Sequence, residues 1–505
     1  MDHASPSAPA APVPTASDVW QPLPATEWNE DAARHLLRRT GWSARPEAVT
    51  LTLKEGLTAT LERLFPSTAP AEFPKPKLIT NLQEDTPDFA QRLRTAAPED
   101  KRLLQKEARD RSQQAMADMA VRWLQFAAVP ARAAVEKWTL FLSDIYVVSF
   151  EKVHNAALLY LHHAALRNHS LGSAPALTRA VSRSPAMVQY LDLQESKKDA
   201  PNENFARELF ELFLLGEGHY TEQDIKDAAR AFTGYRQRFG EYFFVPRQHD
   251  NGRKTVFGHT GNFSGNNIIE LAYAQPAART FLPGEMVRFY LTEEPLPAAQ
   301  LQALGDEWRK NHYDLRALAL RFFGSRLFFD ASYRCNYIKS PVQFYLGLVQ
   351  DLQLDVAPLP RPLLGALRQM GQALFIPPNV RGWLGGRHWI NSSTLSARRQ
   401  LVQSLFSPIN EALLNADEQA ELAAARTEGR SHFTLDPERL KSYDGLSAEQ
   451  TADRLIDTFL PGKVDAAFRL EVRRFLSDNG LKAKPLERLR LAAVTLLQSP
   501  EYQLC

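Results

Sequence analysis

Apolar residues recur along this chain at intervals of three and four far more often than two, the spacing of helices that bury one face. The first strong case is NEDAARHLLRRTG, residues 29–41: Asn29 stands where a cap is needed, Ala33, Leu36 and Leu37 share a side, and Gly41 ends the run. The same spacing predicts a helix over about 46–65, a long one over 99–128, and others over 131–150, 152–168 and 174–181. The first half of the long helix, KRLLQKEARDRSQQ, is charged nearly all round, which suits a solvated helix laced with i,i+4 pairs. Its second half, MADMAVRWLQFAAV, turns apolar and predicts burial in the core. From 297 to a last helix over 485–498 the period is helical again.

Period-two alternation is scarce, and its best instance is EYFFVPR at 241–247, inside a Gly- and Asn-rich stretch spanning 234–267. The proline-rich, mixed-charge segment 67–98 predicts a loop over the surface, and residues 1–27, rich in Pro, Ala and Ser, predict a flexible tail. There is no internal repeat of fixed period. The expected fold is mainly α: a large multi-helical body with one irregular Gly/Asn-rich region that has room for a short β-hairpin. A main helical domain over 28–400 and a C-terminal helical part over 401–505 packed against it complete the expectation.

Bulk composition narrows the function classes more than it names one. A chain of 505 residues with 44% apolar and 23% charged residues can bury a large core, and its net charge of +2 supplies no general attraction to nucleic acid, so none is expected as a partner. Two cysteines, Cys335 and Cys505, exclude a disulfide framework and a cysteine zinc site. No apolar run is long enough to span a bilayer, and the first residues lack the basic-then-apolar order of a secretory signal, so the chain as written reads as cytoplasmic.

Four stretches could carry chemistry. In PNENFARELFELFLLGEGHY, residues 201–220, a 3.6-residue helix puts Asn204, Glu208 and Glu211 on one side, and Phe205, Leu209, Leu212 and Phe213 on another. Asn202 is placed to cap it, and Glu203 and Arg207 sit four apart. Two carboxylates three residues apart can hold a divalent metal or divide acid and base roles when buried, and can equally brace neighbouring helices. Next, TEQDIKDAARAFTG, residues 221–234, offers a capping box from Thr221 to Asp224, a stop at Gly234, and Asp227 and Arg230 along one side. The loop RQHDNGRKTVFGHTGNF, residues 247–263, gathers His249, Asp250, Lys254 and His259 among glycines, a mixture suited to an anion or a metal-held water, or to satisfying its own turns. Finally, FIPPNVRGWLGGRHWINSSTLSARR, residues 375–399, sets Arg381, Trp383, Trp389 and Asn391 in a stiff loop whose indoles could face a sugar ring or a peptide, or pin it into the core. His162 and His163 are adjacent and diverge on a helix, and neither H-E-x-x-H nor G-x-S-x-G occurs.

NENFARELFELFLLGEGHYTEQDI, ARAFTGY, HDNGRKTVFG, KSPVQF and PPNVRGWLGGRHWINSSTL together resemble the bacterial domain-of-unknown-function family 1800. HLLRRTGWSARPEAV, VEKWTLF, SPAMVQYLD and LLQSPEY extend the likeness over nearly all of the chain beyond the tail. The resemblance implies a mainly helical protein without an established general activity. It implies a partner as well, a sulfatase-like protein of domain-of-unknown-function family 1501, and a place in the periplasm or on the cell envelope. One departure stands out. After the VEKWTLF-like motif the family continues Trp-His-Asn-His-Phe, where this chain has Leu142, Ser143, Asp144, Ile145 and Tyr146. Ser143 and Ile145 cannot serve as paired imidazoles. Glu285 stands near where relatives carry a lysine.

Two functional expectations follow. The favoured one is a non-catalytic binding or assembly protein acting with a protein partner or an envelope polymer, its polar motifs buried as satisfied networks. The alternative is a metal-assisted or acid–base hydrolase of a glycan or ester, its activity degenerate for want of the histidine pair. Its catalytic groups would be Glu208, Glu211, His249 and Asp250, and its binding groups Asn202, Asn204, Arg207, Lys254, Arg381, Trp383, Trp389 and Asn391. On either reading the polar side of 202–211 is expected to be buried.

Overall fold

The computed structural model describes residues 15–505 apart from 83–85, 436–442, 444, 463 and 479–483. Helices follow one another from Glu30–Thr40 to Pro485–Gln498, and the strands among the described residues form two separate two-stranded antiparallel hairpins, so the chain is mainly α.

Ala133–Ile145 lies deep in the body, with Trp138, Phe141, Leu142 and Ile145 all buried. Its polar groups are individually satisfied, as burial demands. The Trp138 indole donates to Ser170 O at 2.7 Å, and Arg167 Nε donates to Glu136 Oε1 at 2.7 Å. Lys137 Nζ reaches the end of Glu30–Thr40, donating to Gly41 O at 3.2 Å, where a cation completes orphaned carbonyls. One continuous apolar cluster runs from Trp20 to Tyr502, taking in Leu455 and Ile456 of Ala448–Phe459 and Leu496 and Leu497 of Pro485–Gln498. A further tie is Lys339 N donating to Gln503 O at 2.8 Å.

Three expectations are corrected. The tail over 1–27 holds only as far as residue 14, which lies outside the described residues; beyond it Trp20 is buried and its indole donates to Gln300 O at 2.7 Å. The proposed loop 67–98 contains helices Lys77–Thr80 and Pro87–Thr95, the latter capped by Thr86 and started by a proline in its first turn. The irregular region holds two hairpins rather than one: Tyr235–Arg238 with Glu241–Phe244, and Lys254–Val256 with His259–Gly261. Both turn through two residues of positive φ, Phe239–Gly240 and Phe257–Gly258, the geometry that matches strand twist. Phenylalanine at the first of those places is unusual, and the second hairpin therefore carries no Asn-Gly or Asp-Gly signal at its turn.

Candidate functional site

The helix expected over 204–214 changes character half-way. Asn204–Glu208 is α-helical, and Leu209–Leu214 is a π-helix, with Leu215 N bonding back five residues to Phe210 O at 2.9 Å. Wide turns of this kind occur mostly as single insertions and often at functional sites. The apolar side behaves as its pattern requires: Phe205, Leu209, Phe210 and Phe213 are buried, and Phe213 meets the ring of Tyr146 at 5.4 Å.

The polar side is not buried as expected; Asn204 is exposed, and Glu208 and Glu211 are half-buried. Asn202 accepts from Asn204 N at 2.9 Å, capping the turn as its position suggested, and Asn204 Nδ2 donates to Asp192 at 3.1 Å. Arg207 turns away to Glu222, at 2.8 Å, and Glu203, at 3.2 Å. Glu211 accepts from the Tyr220 hydroxyl and from Arg381 Nη2, each at 2.7 Å, and Arg381 also bridges to Glu217 at 2.7 Å. Glu208 makes no hydrogen bond or ion pair among the described residues; burial and the neighbouring Glu211 push its carboxyl above the ordinary range, against the pull of Arg381 and Arg207.

Arg381 comes from the stiff loop at 375–391, which this structure places beside the π-helix. Asn379 bends the loop by accepting from Arg381 N at 2.8 Å, and the Asp144 carboxylate accepts Trp383 N at 2.8 Å. Burial pushes Asp144 up to about 7, with Glu285 acting in the same direction and the Trp383 amide and Arg288 against it. The indoles of Trp383 and Trp389 are buried, so neither presents an open face to a sugar. Asn391 is a helix cap: it accepts from Thr394 N at 2.9 Å and starts Ser392–Leu405.

His249, Asp250 and Lys254 close a second network in which Glu208 and Glu211 take no part. His249 is buried with Nδ1 at 2.9 Å from Thr233 O; Asp250 accepts from Arg230 at 2.7 Å; and Lys254 Nζ donates to Asp250 O and Gly252 O at 2.6 and 3.0 Å. Arg230 is held in turn by Asp227 at 2.8 Å. This loop binds its own turn and the helix before it.

Among the described residues no group of three or more His, Cys, Asp and Glu side chains gathers as a metal ion requires. Glu208 and Glu211 are two carboxylates, and the second is already committed to Arg381 and Tyr220, so the donor set does not fit a divalent ion. The sequence reading missed Tyr220, Asp192 and Asp144. Only Asp144 carried a signal, as an acidic residue inside an otherwise apolar helical run.

The model of the proteins of unknown function named DUF1800 matches residues 35–504. The chain belongs to that family. Searches among curated proteins and solved structures find no match. Where the resemblance puts the first DUF1800 histidine, Ser143 is half-buried and donates to Leu140 O at 2.7 Å; at the second, Ile145 is core. No helix among the described residues is long and apolar enough to cross a membrane.

Proposed function

We propose that this chain is a non-catalytic binding or assembly protein that engages a protein partner or a cell-envelope polymer through the face bearing Asn204, Glu208, Glu211, Glu217 and Arg381. The division of the acid–base candidates carries the reading. Glu211 answers to Arg381 and Tyr220, whereas His249, Asp250 and Lys254 answer to Thr233, Arg230 and their own backbone. Acid–base catalysis needs its groups within reach of one reacting atom, while recognition needs oriented charge at the solvent boundary. The sulfatase-like family 1501 protein, on the envelope side of a bacterial cell, is the partner to try first.

Titration calorimetry with that protein and with purified envelope polymer tests the reading. Binding that falls by about tenfold or more in Arg381→Ala and Glu208→Ala, with melting temperatures unchanged, is the expected result. Absence of binding to either, together with ester or glycoside hydrolysis that Glu208→Gln abolishes, overturns it. One observation favours the hydrolase alternative: Glu208 is a half-buried, unpartnered carboxyl held above its ordinary range, the state of a general acid.

A further inference from the structure

A cavity opens beside the C-terminal end of Ala133–Ile145, walled by Trp123, Leu140, Phe375 and Trp383 and lined on its polar side by Ser143, His162 and His163. Water centres can occupy about 40 Å³ of it. That is room for roughly three water-sized groups. The two adjacent histidines differ in kind. His162 is satisfied, with Nδ1 at 3.1 Å from Ser184 Oγ and Nε2 at 2.9 Å from Tyr146 O. His163 is 5% exposed and its Nε2 has no partner, although buried polar atoms are rarely left so. The rings of Phe73, Trp123 and Phe375 stand edge-on around it at 5.7, 6.2 and 5.8 Å.

We propose that this cavity binds a small uncharged molecule with an apolar body of a few heavy atoms and one hydroxyl, the hydroxyl pairing with His163 and the body lying against Trp123, Phe375 and Trp383. Burial first, then Arg167 and His162, hold the His163 imidazole down at about 3, so it is neutral and offers an anion nothing. Charged ligands would also lose their hydration against walls of this kind. A hydroxyl both donates and accepts, and so satisfies Nε2 in either tautomer of the ring. Ser143 stands half-buried with its own proton given to Leu140 O, leaving a free acceptor for a longer ligand.

The probes are n-butanol and 1-chlorobutane, similar in length and differing in the hydroxyl, followed by NMR at the His163 ring and the Trp123 and Trp383 indoles. A ligand of this size should saturate with a Kd on the order of millimolar. Butanol should bind about tenfold better than the chloride, since only it satisfies Nε2. His163→Phe should abolish that preference while the chloride still binds. Ser143→Phe, at the half-buried lining, should block both probes and serves as the second variant if His163→Phe fails to fold. No saturable shift, equal binding of the two probes, a preference that survives in His163→Phe, or undiminished binding in Ser143→Phe overturns the proposal.

Discussion

Asp144 accepts the backbone N–H of Trp383 at 2.8 Å, so a buried helix end and a glycine-rich loop more than 200 residues away share one hydrogen bond. The carboxyl titrates at about 7 in the folded chain, against 3.8 as its ordinary value. A folded pKa above the unfolded one means that this group's stabilising effect is fully present below pH 3.8 and is lost as pH rises to 7, because only the unfolded chain ionises in that window. Asp144→Asn should remove this decline, gaining roughly 2–4 kcal/mol on the parent between acid and neutral pH. Urea midpoints of both proteins across that range check it, and parallel slopes would refute the assignment.

The same junction explains a glycine. Gly382 has φ +73°, and a Cβ there would run into the Asp144 carboxylate. Gly385, at φ +74°, has nothing within 4 Å of such an atom. Gly382→Ala should therefore cost roughly 2–4 kcal/mol, and Gly385→Ala only the backbone strain of about 1–2 kcal/mol. Equal losses in urea denaturation would mean that the loop does not dock on Asp144.

Arg381 should matter more to a titration than to stability. Its side chain is 54% exposed, so its ion pairs with Glu211 and Glu217 should contribute less than about 1 kcal/mol. Arg381 lowers the Glu208 pKa and Glu211 raises it. Arg381→Ala should then move the Glu208 midpoint further up, and Glu211→Gln should move it down. A carboxyl-carbon NMR titration reads both directions, and an unmoved midpoint in either variant would separate Glu208 from the cluster.

Glu136 and Arg167 form a pair with 0% and 3% of their side chains exposed, and Trp123 Nε1 adds a bond to the same carboxylate at 3.0 Å. Removing one charge strands the other. Glu136→Gln should cost about 3–5 kcal/mol, and Glu136→Gln with Arg167→Met should recover part of that loss. Additive losses in thermal unfolding would count against a coupled pair.

Local signals were legible in the sequence, and distances between remote segments were not. Asn29 accepts from Ala32 N at 3.1 Å, and Thr221 and Asp224 form their capping box, because a cap depends on three or four consecutive residues. The divergence of His162 and His163 was readable as well. That His163 faces a cavity was not, since Trp123, Phe375 and Trp383 reach it from distant parts of the chain. Glu208 and His249 looked like members of one site because their motifs are neighbours in sequence, yet Arg230 and Thr233 claim the histidine loop for another network. The half-exposed polar side of 202–211 was misjudged for a related reason: a helical pattern separates faces but does not say what covers them.

The π-helical segment Leu209–Leu214 has a consequence for how this motif can vary. A wide turn accommodates an extra residue, so deleting one position there would restore ordinary α phase and swing everything beyond it by about 100°. Glu217 and Tyr220, which meet Arg381 and Glu211, would be carried out of reach. The motif therefore constrains a count as well as an alphabet: between Glu208 and Tyr220 substitutions can be absorbed one at a time, whereas a change in the number of residues rewires the face in a single step.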